Sequence, residues 1–103
     1  MRVDLGPVSE FAEGVAVRAE TPHRALVVVR SGERFYALED RCSHEDFPLS
    51  AGDVDLATGE IECARHGALF RLDDGAPLSL PATRPVATFP AHADDGHVIV
   101  ELP

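Results

Sequence analysis

The sequence contains two cysteines, and each is followed at short range by a histidine. The first pair is Cys42 and His44, with one residue between them, and the second is Cys63 and His66, with two. Two thiolates and two imidazoles can hold one tetrahedral zinc ion, or an iron–sulfur cluster whose two irons have different ligands. No other group of residues in the chain has a pattern that predicts chemistry.

The distribution of these four residues favours a cluster over zinc. Mixed zinc sites usually place their cysteines together and their histidines together, whereas here each pair supplies one of each. This arrangement suits a site in which one iron takes both cysteines and the other takes both histidines. A structural zinc module that acts in protein binding remains the alternative, because a tetrahedral ion accepts the same side chains.

Length and charge limit the classes of protein that the chain can represent. Its 103 residues predict one domain over residues 1–103 with a modest core, because a chain of this size buries only ~65% of its unfolded surface. Nine basic and 18 acidic residues give a formal net charge of −9. Phosphates repel such a surface, so we expect neither nucleic acid nor a membrane as a partner. The acidity either only keeps the protein in solution or provides a docking face for a basic partner.

Apolar runs in the sequence are short. The longest, residues 25–29, has the length of a strand and not of a membrane span. Residues 1–7 lack the apolar segment of a signal peptide, so we expect a cytoplasmic protein. In that compartment, two cysteines are more often ligands or free thiols than a disulfide.

Short strand-like segments separated by turns predict an all-β fold. Glycine and proline, eight of each, lie scattered between segments that recur every eight to twelve residues. Turns at Ser31-Gly32 and Asp94-Asp95-Gly96 predict two hairpins. Residues 76–85 contain three prolines and are predicted to be irregular. The predicted strands are residues 15–18, 25–30, 34–38, 60–62, 68–72, 86–89 and 97–102.

The residues around both Cys–His pairs resemble those of the Rieske ferredoxin family, the small electron carriers of multicomponent non-haem iron oxygenases. Two segments match the Cys-x-His and Cys-x-x-His-Gly boxes of that family, and a third matches its proline loop, which covers the cluster. The family usually has Pro-Trp where this chain has Ala64-Arg65, and this removes an aromatic side chain but no ligand. The three segments are Cys42-Ser43-His44-Glu45-Asp46-Phe47-Pro48-Leu49, Cys63-Ala64-Arg65-His66-Gly67-Ala68-Leu69-Phe70 and Leu80-Pro81-Ala82-Thr83-Arg84-Pro85.

The resemblance implies a small antiparallel Rieske-type barrel or sandwich, with a cluster-binding subdomain of two hairpin-like loops at about residues 40–85. It implies one [2Fe-2S] cluster held by Cys42, His44, Cys63 and His66, and no catalytic residue. The implied function is one-electron transport, without enzyme activity, in a multicomponent dioxygenase system of aromatic hydrocarbon catabolism. The implied partners are an NAD(P)H-dependent flavoprotein reductase and the terminal oxygenase, which a monomer meets in transient complexes.

The resemblance also bears on the reduction potential. High-potential relatives carry Ser and Tyr two and four residues after the second histidine, where their hydroxyls donate to the cluster sulfurs and the cysteine. This chain has Ala68 and Phe70 at those positions and no spare cysteines for the extra disulfide of the high-potential forms. We therefore expect a midpoint near the bottom of the Rieske range, on the order of −150 mV.

Some functional alternatives remain open from the sequence. An accessory protein of iron–sulfur cluster assembly has the same residue pattern, and the small subunit of assimilatory nitrite reductase shares the fold but typically lacks the ligands. Arg65 either presents a positive charge to a partner or folds back onto Glu45 or Asp46. The remaining histidines lie in polar contexts beside strands, and we expect them on the surface: His23, His92 and His97.

Overall fold

The computed structural model describes residues 1–103 and contains two antiparallel sheets. The six-stranded sheet has the order β1-β9-β8-β4-β3-β2 and curves into a nearly closed barrel, and the three-stranded sheet has the order β5-β6-β7. The fold is therefore all-β, as the sequence predicts. The strands are β1 (Arg2–Pro7), β2 (Val17–Glu20), β3 (Ala25–Ser31), β4 (Arg34–Glu39), β5 (Val54–Asp55), β6 (Glu60–Glu62), β7 (Leu69–Arg71), β8 (Thr88–Asp94) and β9 (His97–Glu101).

Strand β3 explains the longest apolar run in the sequence. Leu26 and Val28 belong to the core of the six-stranded sheet, whereas Val27 and Val29 belong to a second core that the small sheet covers. Successive side chains of a strand point to opposite faces, so a strand buried on both faces needs a continuous apolar run. The second core also contains Cys42 and Cys63, and β3 therefore lies beneath the two Cys–His loops.

Both predicted hairpins are present. Strands β3 and β4 pair from Leu26 with Glu39 to Ser31 with Arg34, and β8 and β9 meet around the turn at Asp95-Gly96. Residues 76–85 form no regular element, as the prolines predict.

Two predicted strands lie elsewhere than expected. The segment 15–18 begins later, as β2, because its residues pair with β3 from Val17 onwards. The segment 86–89 is shifted to Thr88–Asp94, and this strand runs through Pro90, which lies opposite Tyr36 in the register with β4. A proline in a strand removes one N–H donor, which favoured ending the predicted strand early.

Two strands were not predicted at all. Strand β1 is short of β-forming residues and contains Gly6, and it forms because it pairs with the other end of the chain, Arg2 with Glu101. Strand β5 has only two residues and pairs with β6. No helix of the structure has the length and apolar character required to cross a bilayer.

Candidate metal centre

Each of the two Cys–His loops is closed by a backbone hydrogen bond, and the two bonds have equivalent positions. The N–H of Cys42 donates to the carbonyl of Phe47 at 2.9 Å, and that of Cys63 donates to the carbonyl of Ala68 at 2.8 Å. In both loops the acceptor lies five residues after the cysteine. The first loop connects β4 to β5 and so joins the two sheets, whereas the second is the turn of the β6–β7 hairpin. Each loop follows a strand, as expected.

The two thiols lie side by side in the interior. Cys42 and Cys63 are 1% and 0% exposed and form no disulfide. Burial raises the pKa of the Cys42 thiol and the neighbouring Cys63 acts in the same direction, while backbone N–H groups of His44 and Glu45 donate to the sulfur and oppose the shift. Two adjacent buried thiolates are stable only with a positive charge beside them, so this pair suits a metal centre.

The two histidines lie on the outside of the same loops. His44 and His66 are both exposed, and their ring centroids are 5.6 Å apart at an interplanar angle of 82°. The sulfur donors therefore lie on the inner side of the loop pair and the nitrogen donors on the solvent side. The structure brings the predicted site residues together in this polarised arrangement.

Arg65 folds back onto the first loop. Its Nε lies 3.3 Å from Glu45 Oε2, and its guanidinium lies 5.9 Å from the centroid of the Phe47 ring. Of the two alternatives left by the sequence, the structure shows the pairing with Glu45. The other carboxylate oxygen, Oε1, lies 2.8 Å from His66 Nε2, but off the line of the ring N–H. This contact with His66 was not predicted, because nothing in either box indicates which side chains meet between the loops.

A buried carboxylate anchors the first loop to the sheet. The side chain of Asp40 is fully buried and accepts hydrogen bonds from the backbone N–H of Ser50 at 2.7 Å and from its hydroxyl at 2.6 Å. Arg18 on β2 donates to the same carboxylate at 2.9 Å. Asp40 thus ties the segment on either side of the first box to β2. The sequence shows only a polar residue before Cys42, with no sign of this role.

The proline-rich segment packs beside both loops. The hydroxyl of Ser43 donates to the carbonyl of Arg84, and the N–H of Leu69 donates to Ser79 Oγ at 3.0 Å. Ala82 is 4% exposed and belongs to the same core as the two cysteines. The segment therefore closes the site from a third side, as the resemblance implies.

The donor set fits a [2Fe-2S] cluster better than a single ion on the surface. Ligand atoms of His44, Glu45 and His66 lie within 4.8 Å of one another, but an ion bound there would leave two buried thiols without use. Two sulfur donors on the inside and two nitrogen donors on the outside match a cluster whose two irons have different ligands.

The other histidines are exposed, as expected, and His97 on β9 pairs with Asp4 at 3.0 Å, which lowers the pKa of that carboxyl.

Comparison with known proteins identifies relatives over nearly the whole chain. The Rieske [2Fe-2S] domain family matches residues 1–90. The 3-phenylpropionate/cinnamic acid dioxygenase ferredoxin subunit of Escherichia coli (strain K12) is 40% identical over 103 residues, which cover 99% of this chain and 94% of that protein.

Solved structures agree with the sequence comparison. The ferredoxin of carbazole 1,9a-dioxygenase from Nocardioides aromaticivorans IC177 superimposes with a TM-score of 0.93 at 29% identity, covering 97% of this chain and 96% of that one. A second ferredoxin, solved in complex with the oxygenase of carbazole 1,9a-dioxygenase, gives a TM-score of 0.87 at 34% identity, covering 96% and 91%. The predicted fold class is thereby confirmed.

Proposed function

Because the chain belongs to the Rieske [2Fe-2S] domain family, we propose that it is a Rieske-type ferredoxin that carries single electrons from an NAD(P)H-dependent flavoprotein reductase to a Rieske non-haem iron oxygenase. The observation that supports this most directly is the polarised pair of loops, with two thiols buried and two imidazoles exposed. When bound, a [2Fe-2S] cluster supplies reversible one-electron oxidation and reduction.

We assign Cys42, His44, Cys63 and His66 as the four ligands. The cysteines are buried in the core, where apolar residues keep water from the sulfurs. The histidines are exposed, so a partner protein can approach them. The cluster-binding part extends over about residues 40–85, because Asp40 anchors its beginning and the Ser43–Arg84 hydrogen bond fixes its end.

The comparisons favour the oxygenase system over the alternatives. Relatives are named ferredoxin subunits of dioxygenases, and such subunits are electron-transfer components, not catalytic enzymes. One similar ferredoxin was solved in complex with its oxygenase, which supports a terminal oxygenase as a partner. Neither finding favours a role in cluster assembly.

We further propose that the protein works as a monomer in transient complexes in the cytoplasm, where NAD(P)H is available. Donor and acceptor must reach the same exposed histidine edges in turn, so a stable complex with either one would block the other. Each encounter therefore has to be brief.

Analysis of the purified protein tests the assignment. We expect a red-brown protein with two irons and two sulfides per chain, reduced by NADH through a dioxygenase flavoprotein reductase and reoxidised by the oxygenase. His66→Ala should abolish the colour and the electron transfer, while His97→Ala, which removes an exposed histidine from β9, should change neither. A colourless protein with one zinc per chain would instead establish the zinc alternative.

A further inference from the structure

The carboxylate of Glu45 lies against the outer nitrogen of one candidate ligand. Its Oε1 is 2.8 Å from His66 Nε2, is shielded from solvent and has no aligned hydrogen-bond donor. The side chain is 26% exposed, whereas that of the next residue, Asp46, is 89% exposed. Glu45 is therefore directed into the site, and Asp46 is directed into solvent.

This contact determines which nitrogen of His66 is available for iron. Because Nε2 faces Glu45, Nδ1 is the free ligand atom. A metal-bound histidine commonly gives its other ring N–H to a carboxylate, which fixes the ring and increases the donor strength of the ligand. The side chain of His44 forms no hydrogen bond or ion pair in the structure, and its ring lies edge-on to that of His66. The two histidines are thus chemically unequal.

Arg65 moderates the charge of this carboxylate. It pairs with Oε2 of Glu45 at 3.3 Å, and its side chain is 57% exposed. Water screens an ion pair at that exposure, so the arginine offsets only part of the negative charge. The series Arg65–Glu45–His66 also joins the two loops, because Glu45 comes from the first box and the other two come from the second.

We propose that Glu45 is a positioning residue that lowers the reduction potential of the bound cluster, and that Arg65 limits the effect. This inference rests on the proposed function, since it requires the cluster. An added electron makes the site more negative, and a fixed negative charge a few ångströms away opposes that change. At 2.8 Å from Nε2, the carboxylate also makes the imidazole a stronger donor through its negative charge, which favours the oxidised state.

The test is the midpoint potential at a single pH of 7, measured by spectroelectrochemistry on the cluster-loaded protein. We expect Glu45→Gln to raise the midpoint by an amount equal to about a tenfold change in the reduction equilibrium, which is ~59 mV for one electron. Arg65→Gln should lower it. The double variant should lie close to Glu45→Gln, because Arg65 acts through Glu45.

Asp46→Asn is the matched control, since it removes the same charge one residue further along, from a side chain that points to solvent. A larger rise for Glu45→Gln than for Asp46→Asn supports the proposal, while equal shifts or none overturn it. If Glu45→Gln fails to fold, Glu45→Asp decides, because it keeps the charge but withdraws the carboxylate from His66 Nε2: a higher midpoint supports the proposal and an unchanged one overturns it. A wild-type protein without iron would overturn the proposed function itself, and this outcome is distinct from an unchanged midpoint in the Glu45 variant.

Discussion

Few hydroxyl groups are available to the sulfurs of the site. Ala68 and Phe70 are fully buried in the core that contains both cysteines, and neither can donate a hydrogen bond from its side chain. The hydroxyl closest in sequence to the ligands, that of Ser43, donates to the carbonyl of Arg84. Hydroxyl groups that donate to the sulfurs raise the potential of an iron–sulfur cluster, so their scarcity keeps the potential low.

A first prediction follows at Phe70. We expect the wild-type midpoint on the order of −150 mV, and Phe70→Tyr should raise it because a hydroxyl buried in the core that contains both cysteines needs an acceptor such as a sulfur. The rise should approach ~59 mV, equal to a tenfold change in the equilibrium. Phe35→Tyr is the control, since Phe35 belongs to the other core. Potentiometric titration measures the midpoints of the wild type and both variants, and a wild-type midpoint above zero would contradict the expected low potential.

A second prediction concerns Asp40. Asp40→Asn removes the charge that Arg18 pairs with and turns one acceptor oxygen into a donor facing Ser50. The loss of charge-assisted hydrogen bonds in the interior should cost ~2 kcal/mol, which lowers the melting temperature by roughly 8–16 °C.

Thermal unfolding of the cluster-loaded protein measures this effect. Glu39→Gln changes the same charge at the preceding residue, which forms no ion pair, and should shift the melting temperature by less than about 2 °C. Equal shifts for the two variants would mean that net charge, and not the anchoring of the first loop, determines the loss.

At the scale of elements, the two loops depend on a close backbone contact between β6 and the end of the first loop. A Cβ atom added at Gly52 would lie 1.7 Å from the carbonyl oxygen of Glu62, the residue before Cys63. The N–H of Glu62 donates to Asp53 at 2.8 Å, so the two segments are held at this distance. Gly52 is required because only a glycine leaves room for the approach, and its φ of −95° is open to any residue.

A third prediction compares Gly52, where an added methyl group has no room, with Gly59, where it has open space. Gly52→Ala must displace β6 from the first loop, so it should cost ~3 kcal/mol or more and lower the iron content of the purified protein. Gly59→Ala has open space around the new methyl group but a φ of +72°, so it should cost about 1 kcal/mol and keep the iron. Iron analysis and thermal unfolding distinguish the two. Full iron content in Gly52→Ala would show that the contact is not needed.

The ligand boxes and the central hairpins could be predicted because their information is local. The spacing from Cys63 to His66, and the apolar run of β3 before Ser31-Gly32, each lie within a few residues of the feature they specify. Strand β1 could not be predicted, since it depends on pairing between residues as distant as Arg2 and Glu101.

The side-chain contacts that support the ligands could not be predicted from the sequence, because they too depend on residues far apart in the chain. The contacts of Glu45 with His66 and of Asp40 with Ser50 form only after the loops and sheets have taken their places. Each joins residues at least ten positions apart, and no regular spacing marks them in the sequence. The ligands follow a motif, whereas their supporting contacts follow from the fold.

At the scale of the molecule, the net charge of −9 is unevenly distributed. The segments 41–47, 63–67 and 79–87, which form the site, contain three arginines and two acidic residues. All of the excess negative charge therefore lies on the rest of the surface. A basic partner is attracted to the protein as a whole, while the surface around the histidines remains close to neutral.

The last prediction tests this long-range attraction. Glu10, Glu33 and Asp95 are exposed and form no ion pair in the structure, so neutralising all three changes the net charge to about −6 without breaking a contact. Asp95→Asn is compatible with the left-handed turn at its φ of +52°, because asparagine adopts that conformation readily. Combined with Glu10→Gln and Glu33→Gln, it should slow reduction by the flavoprotein reductase roughly three- to tenfold at low ionic strength.

Stopped-flow rates at increasing salt measure the effect. The difference from wild type should vanish near 1 M salt, where the screening length is only about 3 Å, and the midpoint potential should not move, since the three residues lie outside the site segments. Faster reduction of the variant at low salt would show that the reductase presents an acidic face. Equal rates at every ionic strength would mean that the acidity of this surface has no part in bringing the partners together.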